Sequence, residues 1–462
     1  MFRSVAWIAL LAGGFAAAAQ AAPKKPNVLI ILADDLGYAD LSVQGCKQFK
    51  TPNIDRIFNE GVRFTQGYVA NSVCAPSRAG LLTGRMGSSF GFESNLNHDL
   101  SSKPGSTVGL PLDQKTIADV LKAVGYENYC IGKWHLGDNQ KLFHPLKRGF
   151  DAFCGLISGS RSYWALEKHD PIKTLMVDYG YMDEGQVEDF YVTDVLTDKA
   201  IHYLETRQKD QPFFMYLSYT APHGPLEAKD DVLERLDYDF KNPKRKIYAG
   251  MVVNMDDNVG RVLNCLDDLG ISENTLIVFL SDNGGPTDKN SSSNWPLRGM
   301  KGQLFEGGVR VPFGVCWKGT IPPGQVNNEP VISLDLLPTF AAISGADKKT
   351  TIETDGLNLM PLLMQRTGSL PGRTFYWRRG EKTQVAIREG KFKYHQNRRK
   401  GEEFLWNIED DIGEKNNLVK EHPELASRMR AQYEKWETTL PPLGVGIGAP
   451  APDEGKKSQK RK

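Results

Sequence analysis

The sequence predicts an α/β protein with a large, mostly parallel (mixed) sheet sandwiched by helices, followed by a smaller C-terminal α+β subdomain with an antiparallel sheet. Three observations support this prediction. Continuous apolar runs alternate with amphipathic segments of helical period up to residue 346. Several of these runs end in polar clusters, as strands do where a parallel sheet binds ligands. Beyond residue 346, polar and apolar residues alternate between short turns.

The first 21 residues, MFRSVAWIALLAGGFAAAAQA, are predicted to be a secretory signal peptide. They combine Arg3, a short apolar run and an A-x-A ending, so we expect cleavage after Ala21 and a periplasmic or secreted protein. The alternative is a retained membrane anchor, for which the apolar run is short. The 462 residues are too many for one compact core. We therefore predict an α/β domain at 22–346, a subdomain at 347–440 and a disordered basic tail at 441–462.

The elements of the large domain follow from the order of the runs. NVLIILADD is a buried strand ending in acids, and TPNIDRIFNEG is a helix with proline early and glycine at its end. YENYCIGKWHLG, PFFMYLSYTAPHGP and NTLIVFLSDNGG are predicted to be further strands with the loops that follow them. The intervening helices are expected in TIADVLKAVG, VTDVLTDKAIHYLETR, KIYAGMVVNMDDNVGRVLNCLDDLG and VISLDLLPTFAAISGA.

The C-terminal subdomain is predicted from alternation and from one closing helix. RTFYWRR, TQVAIREGKFKYHQ and EEFLWNIED alternate as antiparallel strands do, and HPELASRMRAQYEKWETTL is helical. The final PPLGVGIGAPAPDEGKKSQKRK has the composition of a disordered tail.

Composition excludes some classes of function. The 57 Lys and Arg residues balance the 56 Asp and Glu residues, so nothing in the net charge of +1 favours nucleic acid or a membrane surface as a partner. Six cysteines in a chain of this length do not form a disulfide framework, and their pairing cannot be read from the sequence.

Two strand ends carry a candidate metal site. Asp34 and Asp35 follow the first strand, and Asp282 and Asn283 follow another. Adjacent carboxylates repel each other unless a cation or proton lies between them, and this all-oxygen set suits Ca²⁺ or Mg²⁺. Calcium is favoured for an exported protein. The alternative is that both pairs only cap helices or shape turns.

Cationic and histidine side chains occupy other strand ends and glycine-rich loops. Arg78, Lys133 and Lys301 beside a divalent cation describe a pocket for a tetrahedral oxyanion, and phosphate and sulfate esters both fit it. His135 and His223 could transfer protons near neutral pH. Taken singly, each of these residues could instead be an ordinary surface or packing residue.

A lone cysteine, Cys74, stands in CAPSRAGLLTGR just before a predicted helix. This segment resembles the signature of the type I, formylglycine-dependent sulfatases of the alkaline phosphatase superfamily. ILADDLG, GKWHLG, APH, SDNGG and RGMKG resemble the other family blocks in the family's order, over roughly residues 26–345.

The resemblance implies that a separate maturation enzyme oxidises Cys74 to Cα-formylglycine, whose hydrate attacks sulfur. It also implies that one Ca²⁺ is held by five residues, of which two, Cys74 and Asp282, also have catalytic roles. The five residues are Asp34, Asp35, Cys74, Asp282 and Asn283. By similarity, Asp282 also accepts the proton of the attacking hydroxyl. The remaining implied roles are hydrate binding and charge compensation by Arg78 and Lys133, proton removal by His135, leaving-group protonation by His223, and sulfate binding by Lys301.

The substrate is less specified. The sequence resembles those of bacterial polysaccharide sulfatases, which suggests that the substrate is a galactan such as carrageenan or a glycosaminoglycan. We expect no nucleic acid or membrane partner. Aromatic and basic side chains suit a sulfated pyranose, and the candidates are Arg161, Tyr163, Trp164, His169 and Arg378. Two alternatives remain: a phosphate or phosphonate monoester hydrolase on the same scaffold, and a catalytically silent glycan-binding protein. Oligomeric state is not specified by the sequence.

Overall fold

The computed structural model describes residues 25–96, 98–103, 105–349, 353–379 and 383–442. The predicted signal peptide lies outside these residues, as does the predicted tail from residue 443 onward. The strands are β1 (Asn27–Ala33), β2 (Val62–Phe64), β3 (Gly67–Tyr68), β4 (Glu127–Lys133), β5 (Ala152–Leu156), β6 (Met176–Val177), β7 (Gly180–Tyr181), β8 (Phe213–Ser218), β9 (Thr275–Ser281), β10 (Phe313–Cys316), β11 (Gln325–Asn327), β12 (Val331–Ile332), β13 (Thr374–Arg378), β14 (Gln384–Glu389), β15 (Phe392–Asn397) and β16 (Glu402–Asn407).

The segments predicted to be helical contain helices, and several short helices that were not predicted lie between them. The helices are α1 (Pro52–Asn59), α2 (Cys74–Thr83), α3 (His98–Ser101), α4 (Ile117–Lys122), α5 (Gln140–Phe143), α6 (Val192–Thr206), α7 (Asp230–Glu234), α8 (Pro243–Asp268), α9 (Glu306–Val309), α10 (Leu336–Ser344), α11 (Met360–Leu363) and α12 (Pro423–Glu437). Within the described residues, no helix has the length and apolar character that crossing a membrane requires.

The predicted fold class is confirmed. A mixed sheet of ten strands in the described residues has the order β11-β2-β10-β9-β1-β8-β4-β5-β6-β7. Its centre is parallel, since β1 pairs with β8 and β9, and β4 pairs with β5 and β8, in parallel. β10 is antiparallel to β9, and β6 and β7 form an antiparallel edge, which makes the sheet mixed.

Helices cover both faces because each central strand is apolar on both sides. Along β1, alternate side chains enter different cores, Val28, Ile30 and Leu32 on one face and Leu29 and Ile31 on the other. The first face packs against α2, α4 and α10, and the second packs against α1, α6 and α8. The sheet is therefore a rigid layer from which the loops after its strands project.

The C-terminal sheet is a separate antiparallel layer, β13-β14-β15-β16, with α12 packed against it. The segment that leads into this sheet belongs to the large domain by packing, because Leu359, Leu362 and Leu370 lie in its core. The boundary predicted at residue 347 thus precedes a stretch that packs with the large sheet.

Candidate active site at the carboxyl edge of the large sheet

Parallel pairing brings the two acidic strand ends together. β1 and β9 are neighbours in register, with Ala33 opposite Ser281, so the residues that follow both strands share one edge. The backbone N–H of Asp35 donates to Asp282 Oδ1 at 3.2 Å. Asn283 Nδ2 donates to Asp35 Oδ1 at 2.6 Å. The carboxylates and the amide predicted from two distant motifs therefore form one buried cluster.

Cys74 enters this cluster as the first residue of α2. All ten residues of this helix are buried, and the helix ends at Gly84 in the left-handed conformation. The side chain of Asn95 accepts a hydrogen bond from the Ala75 N–H at 3.0 Å, which satisfies one free donor of the first turn. Cys74 Sγ lies 3.6 Å from Asp34 Oδ1, so the helix N-terminus delivers this side chain to the carboxylates.

Two buried cations neutralise Asp34 and Asp282. Lys133 Nζ lies 2.6 Å from Asp34 Oδ2. Arg78 contacts Asp282 Oδ2 through Nη2 at 2.8 Å and through Nε at 3.0 Å. Burial alone would raise the pKa of Asp34, but Lys133, His223 and Arg78 hold this pKa below its ordinary value. Asp34 is therefore an ionised carboxylate despite complete burial.

Lys301 and His223 complete the cluster from the solvent side. Lys301 Nζ lies 2.7 Å from Asp35 Oδ1 and 3.1 Å from Cys74 Sγ. Burial opposes its charge, yet the carboxylates of Asp35, Asp34 and Asp282 raise its pKa well above the ordinary value, so it is an ammonium group. His223 Nε2 lies 3.5 Å from Asp35 Oδ2, and its Nδ1 contacts the Gly224 carbonyl at 2.6 Å.

The thiol of Cys74 is poorly suited to act as a nucleophile in its unmodified form. Burial, and secondarily the charge of Asp282, raise its pKa to about 12. The side chain is consequently a protonated thiol at neutral pH, whereas the reactive form of cysteine is the thiolate. The surroundings of Cys74 thus favour chemistry other than that of a cysteine hydrolase.

The oxygen donors fit a hard divalent cation. Ligand atoms of Asp34, Asp35, Cys74 and Asp282 all lie within 4.8 Å of one another. Asn283 Oδ1 is buried and has no hydrogen-bond partner, although its amide nitrogen is bonded. A buried oxygen that has no hydrogen-bond partner and lies beside three carboxylates can coordinate a cation. The residues present could hold Ca²⁺ or Mg²⁺.

His135 lies just beyond β4, two residues after Lys133. It has a left-handed backbone with φ of 59°, which is uncommon outside glycine. Its ring packs against Gly159, where an added Cβ would come within 2.7 Å of Nε2. This close approach explains a glycine at that position.

The candidate substrate residues fall into two groups. Arg161 is buried in an ion pair with Glu184, and Arg378 in an ion pair with Glu93. Tyr163 is 1% exposed and donates to the Thr220 carbonyl at 2.7 Å. These three side chains are therefore engaged in contacts within the protein. Trp164, 41% exposed, and His169 lie on the surface.

Two serines of the site were missed in the sequence. Ser77 Oγ donates to the Asp282 carbonyl, and Ser218 Oγ accepts from Arg78 Nη1. Ser77 lies within the CAPSR motif, and Ser218 is the last residue of β8. The rule that located the other site residues, polar groups at strand ends, could have found Ser218 as well.

The comparisons with known proteins identify the class. The Sulfatase family model matches residues 26–346, and the chain belongs to this family of sulfuric ester hydrolases. The predicted family resemblance is thereby confirmed. The chain is 34% identical over 396 residues to N-acetylgalactosamine-6-sulfatase of Mus musculus, covering 82% of this chain and 73% of that protein. It is 34% identical over 402 residues to arylsulfatase A of Homo sapiens, covering 82% and 76% respectively.

Solved structures agree in fold. The crystal structure of Ps i-CgsB in complex with k-i-k-neocarrahexaose superposes with a TM-score of 0.82 at 36% identity, covering 91% of this chain and 94% of that one. The PsFucS1 sulfatase from Pseudoalteromonas sp. has a TM-score of 0.73 at 26% identity, covering 90% of each chain.

Proposed function

We propose that this sulfatase hydrolyses sulfate monoesters of a sulfated carbohydrate, through a formylglycine hydrate at position 74 and with one Ca²⁺. The observation that carries the proposal is the meeting of Cys74 with Lys301 and Asp34 in one buried cluster. A protonated, buried thiol has no evident use there, whereas the oxygens of an aldehyde hydrate would match the hard donors around it.

Relatives support the substrate class. One related structure holds a neocarrahexaose, and one relative is named for N-acetylgalactosamine 6-sulfate ester cleavage. The first name describes an oligosaccharide ligand, and the second describes a sulfated sugar of the galactose type. We therefore propose a galactan such as carrageenan, or a glycosaminoglycan, as the substrate. Of the predicted contacts, we propose Trp164 and His169 as substrate residues, since an exposed side chain is available to a ligand.

The attack step uses the cluster as follows. Oxidation of Cys74 by the separate maturation enzyme leaves an aldehyde, and addition of water gives two hydroxyls on one carbon. One hydroxyl loses its proton to Asp282 and attacks sulfur, while Lys301 holds the sulfate group. The S–O bond to the sugar breaks, and His223 gives a proton to the leaving oxygen. A divalent cation at Asp34, Asp35, Asp282 and Asn283 would supply positive charge beside the attacking oxygen.

Release of sulfate returns the site to its starting form. His135 takes the proton of the second hydroxyl, the carbon–oxygen bond to the sulfate breaks, and the aldehyde forms again. No water has to attack sulfur in this step. Arg78 and Lys133, both fully buried cations, compensate the negative charge throughout.

We also propose that the protein acts in the periplasm or outside the cell. The support is the composition of residues 1–21. Fractionation of the native host, with N-terminal sequencing of the mature chain from Ala22, tests this.

The function is tested first by comparing an aryl sulfate with the matching aryl phosphate, using protein whose Cys74 peptide has been checked by mass. We expect sulfate to be preferred, and a preference for phosphate would contradict the proposal. Desulfation of defined carrageenan and glycosaminoglycan oligosaccharides then identifies the sugar.

The role of position 74 is tested by Cys74→Ala. We expect turnover to fall at least about a thousandfold, because the nucleophile is lost, while the thermal midpoint changes little. Cys265→Ala, a buried cysteine on α8 away from the cluster, is the matched control and should retain activity. Full activity of unmodified Cys74 protein would refute the mechanism.

A further inference from the structure

Trp295 is the most exposed large apolar side chain in the described residues. Its exposed fraction is 75%, whereas the others lie between 40% and 57%. Its ring has no stacking partner among the aromatic pairs of the described chain. A large apolar side chain that stays exposed lacks the free energy of about 1.5–3 kcal/mol that its burial would contribute. Isolated exposed apolar side chains are nevertheless common on protein surfaces. What distinguishes Trp295 is the loop that presents it.

The neighbours of Trp295 are polar side chains turned inward. Asn290 and Asn294 are 2% and 3% exposed, and Ser292 is 7% exposed. Asn294 Nδ2 donates to the carbonyls of Gly285 at 2.8 Å and Gly299 at 3.2 Å. Its Oδ1 accepts from the Gly285 N–H at 3.1 Å. The loop is therefore held by hydrogen bonds on both sides of Trp295.

The same loop is tied directly to the active-site cluster. Asn290 Nδ2 donates to the backbone carbonyl of Asp35 at 3.3 Å. The Gly285 carbonyl, which accepts from Asn294, also accepts from the Lys301 N–H at 3.4 Å. In the same loop, the Ser293 N–H donates to Oδ2 of the buried Asp40 at 2.8 Å. These hydrogen bonds fix the loop of Trp295 relative to the backbone of Asp35 and Lys301.

We propose that Trp295 is a stacking surface for a sugar ring next to the one that carries the scissile sulfate, and so determines selectivity for polymeric over monomeric substrates. This inference rests on the proposed function. The indole offers a large, rigid apolar face at low conformational cost, which suits the C–H face of a pyranose. Its loop is already ordered, so little further ordering is required on binding. The ligand class is a chain of at least two pyranose rings.

The test compares substrate lengths. Carrageenan and chondroitin sulfate oligosaccharides of two and six rings, with the matching sulfated monosaccharide, are used as substrates for wild type and Trp295→Ala. The quantity measured is the ratio of kcat/KM for the six-ring substrate to kcat/KM for the monosaccharide. We expect Trp295→Ala to lower this ratio about tenfold, the effect of losing one aromatic stacking contact. Trp295→Tyr, which keeps an aromatic face, should restore most of it.

Val326→Ala is the control, because Val326 is 57% exposed on β11 at the outer edge of the large sheet. It should leave the ratio as in wild type. An unchanged ratio in Trp295→Ala, with wild type active on these saccharides, overturns the stacking role and leaves the proposed function intact. Absence of wild-type turnover on every saccharide, with aryl sulfate still hydrolysed, overturns both.

Discussion

Asp34 is a buried charge whose desolvation destabilises the fold and whose carboxylate the proposed metal site requires. It is 0% exposed, yet it lies within reach of Lys133, Arg78 and Cys74. A buried charge is tolerated only when it is paired or coordinated. The cations of the site and a bound divalent ion would share this task, so the stability of the protein should depend on calcium.

We predict that calcium raises the thermal midpoint of the wild type and that Asp34→Asn abolishes most of this rise. Binding to the folded state alone stabilises by about 2.7 kcal/mol when free calcium is at 100 times Kd. Calorimetry after chelation, with and without added CaCl₂, measures the effect. Asp256→Asn, at another buried carboxylate, is the control and should keep the calcium response. An equal response in Asp34→Asn would place the ion elsewhere.

Among the elements, β15 carries a histidine that cannot ionise in place. His395 is 1% exposed, and its ring stacks on Phe305 with centroids 4.8 Å apart. Burial, and then the charges of Lys393 and Arg298, lower its pKa to about 3. In the unfolded chain the pKa of a histidine is about 6.5.

The depressed pKa of His395 predicts acid sensitivity. Below pH 6.5 the unfolded chain binds a proton that the folded chain does not, so stability is present above pH 6.5 and is lost as pH falls toward 3. Between pH 7 and pH 5 this loss amounts to about 2 kcal/mol. His395→Phe should remove that part of the pH dependence in urea unfolding. The exposed His202→Ala should leave it as in wild type, and equal slopes for His395→Phe and wild type would contradict the explanation.

Elements and strand-end residues could be predicted because both are local properties of the sequence. The apolar run of β1 gives a buried strand, and parallel pairing then puts Asp34 beside Asp282 whatever the details of packing. The partners of Arg161 and Arg378 could not be predicted. The Arg378–Glu93 pair spans 285 positions, and no pattern near either residue indicates the other. An arginine that looks available in the sequence can therefore be fully engaged in the fold.

At the scale of the whole molecule, buried charged side chains join the C-terminal sheet to the loop that carries Lys301. Lys393 Nζ lies 2.8 Å from Glu306 Oε1 and 3.0 Å from Glu414 Oε1, and all three side chains are 0% exposed. Burial raises the pKa of Glu306, but Lys393 and other cations lower it to about 2. The Glu414 carbonyl accepts from Arg298 at 2.9 Å, and its carboxylate accepts from the Glu306 N–H at 2.8 Å. Both ends of the segment that holds Lys301 are thus anchored to this cluster.

We predict that Lys393→Met destabilises the protein by about 3–5 kcal/mol, because it removes the buried cation that Glu306 and Glu414 share. Turnover should fall as well, since the Lys301 loop loses its anchor. Urea unfolding and aryl sulfate hydrolysis measure the two effects. Arg428→Met removes the half-exposed pair with Glu389 on the same subdomain and should cost less than about 1 kcal/mol. Similar losses of unfolding free energy in both variants would show that the burial of Lys393 with its two carboxylates is unimportant.

The burial of Cys74 has a consequence for timing. With 1% of its surface exposed at the start of a wholly buried helix, the side chain is out of reach of any other protein once the chain has folded. The carboxylates around it come from chain segments 247 residues apart and assemble only when β1 and β9 pair in the sheet. The maturation enzyme that we propose would therefore have to act on Cys74 before the chain folds, and we expect protein that folds without this modification to be inactive.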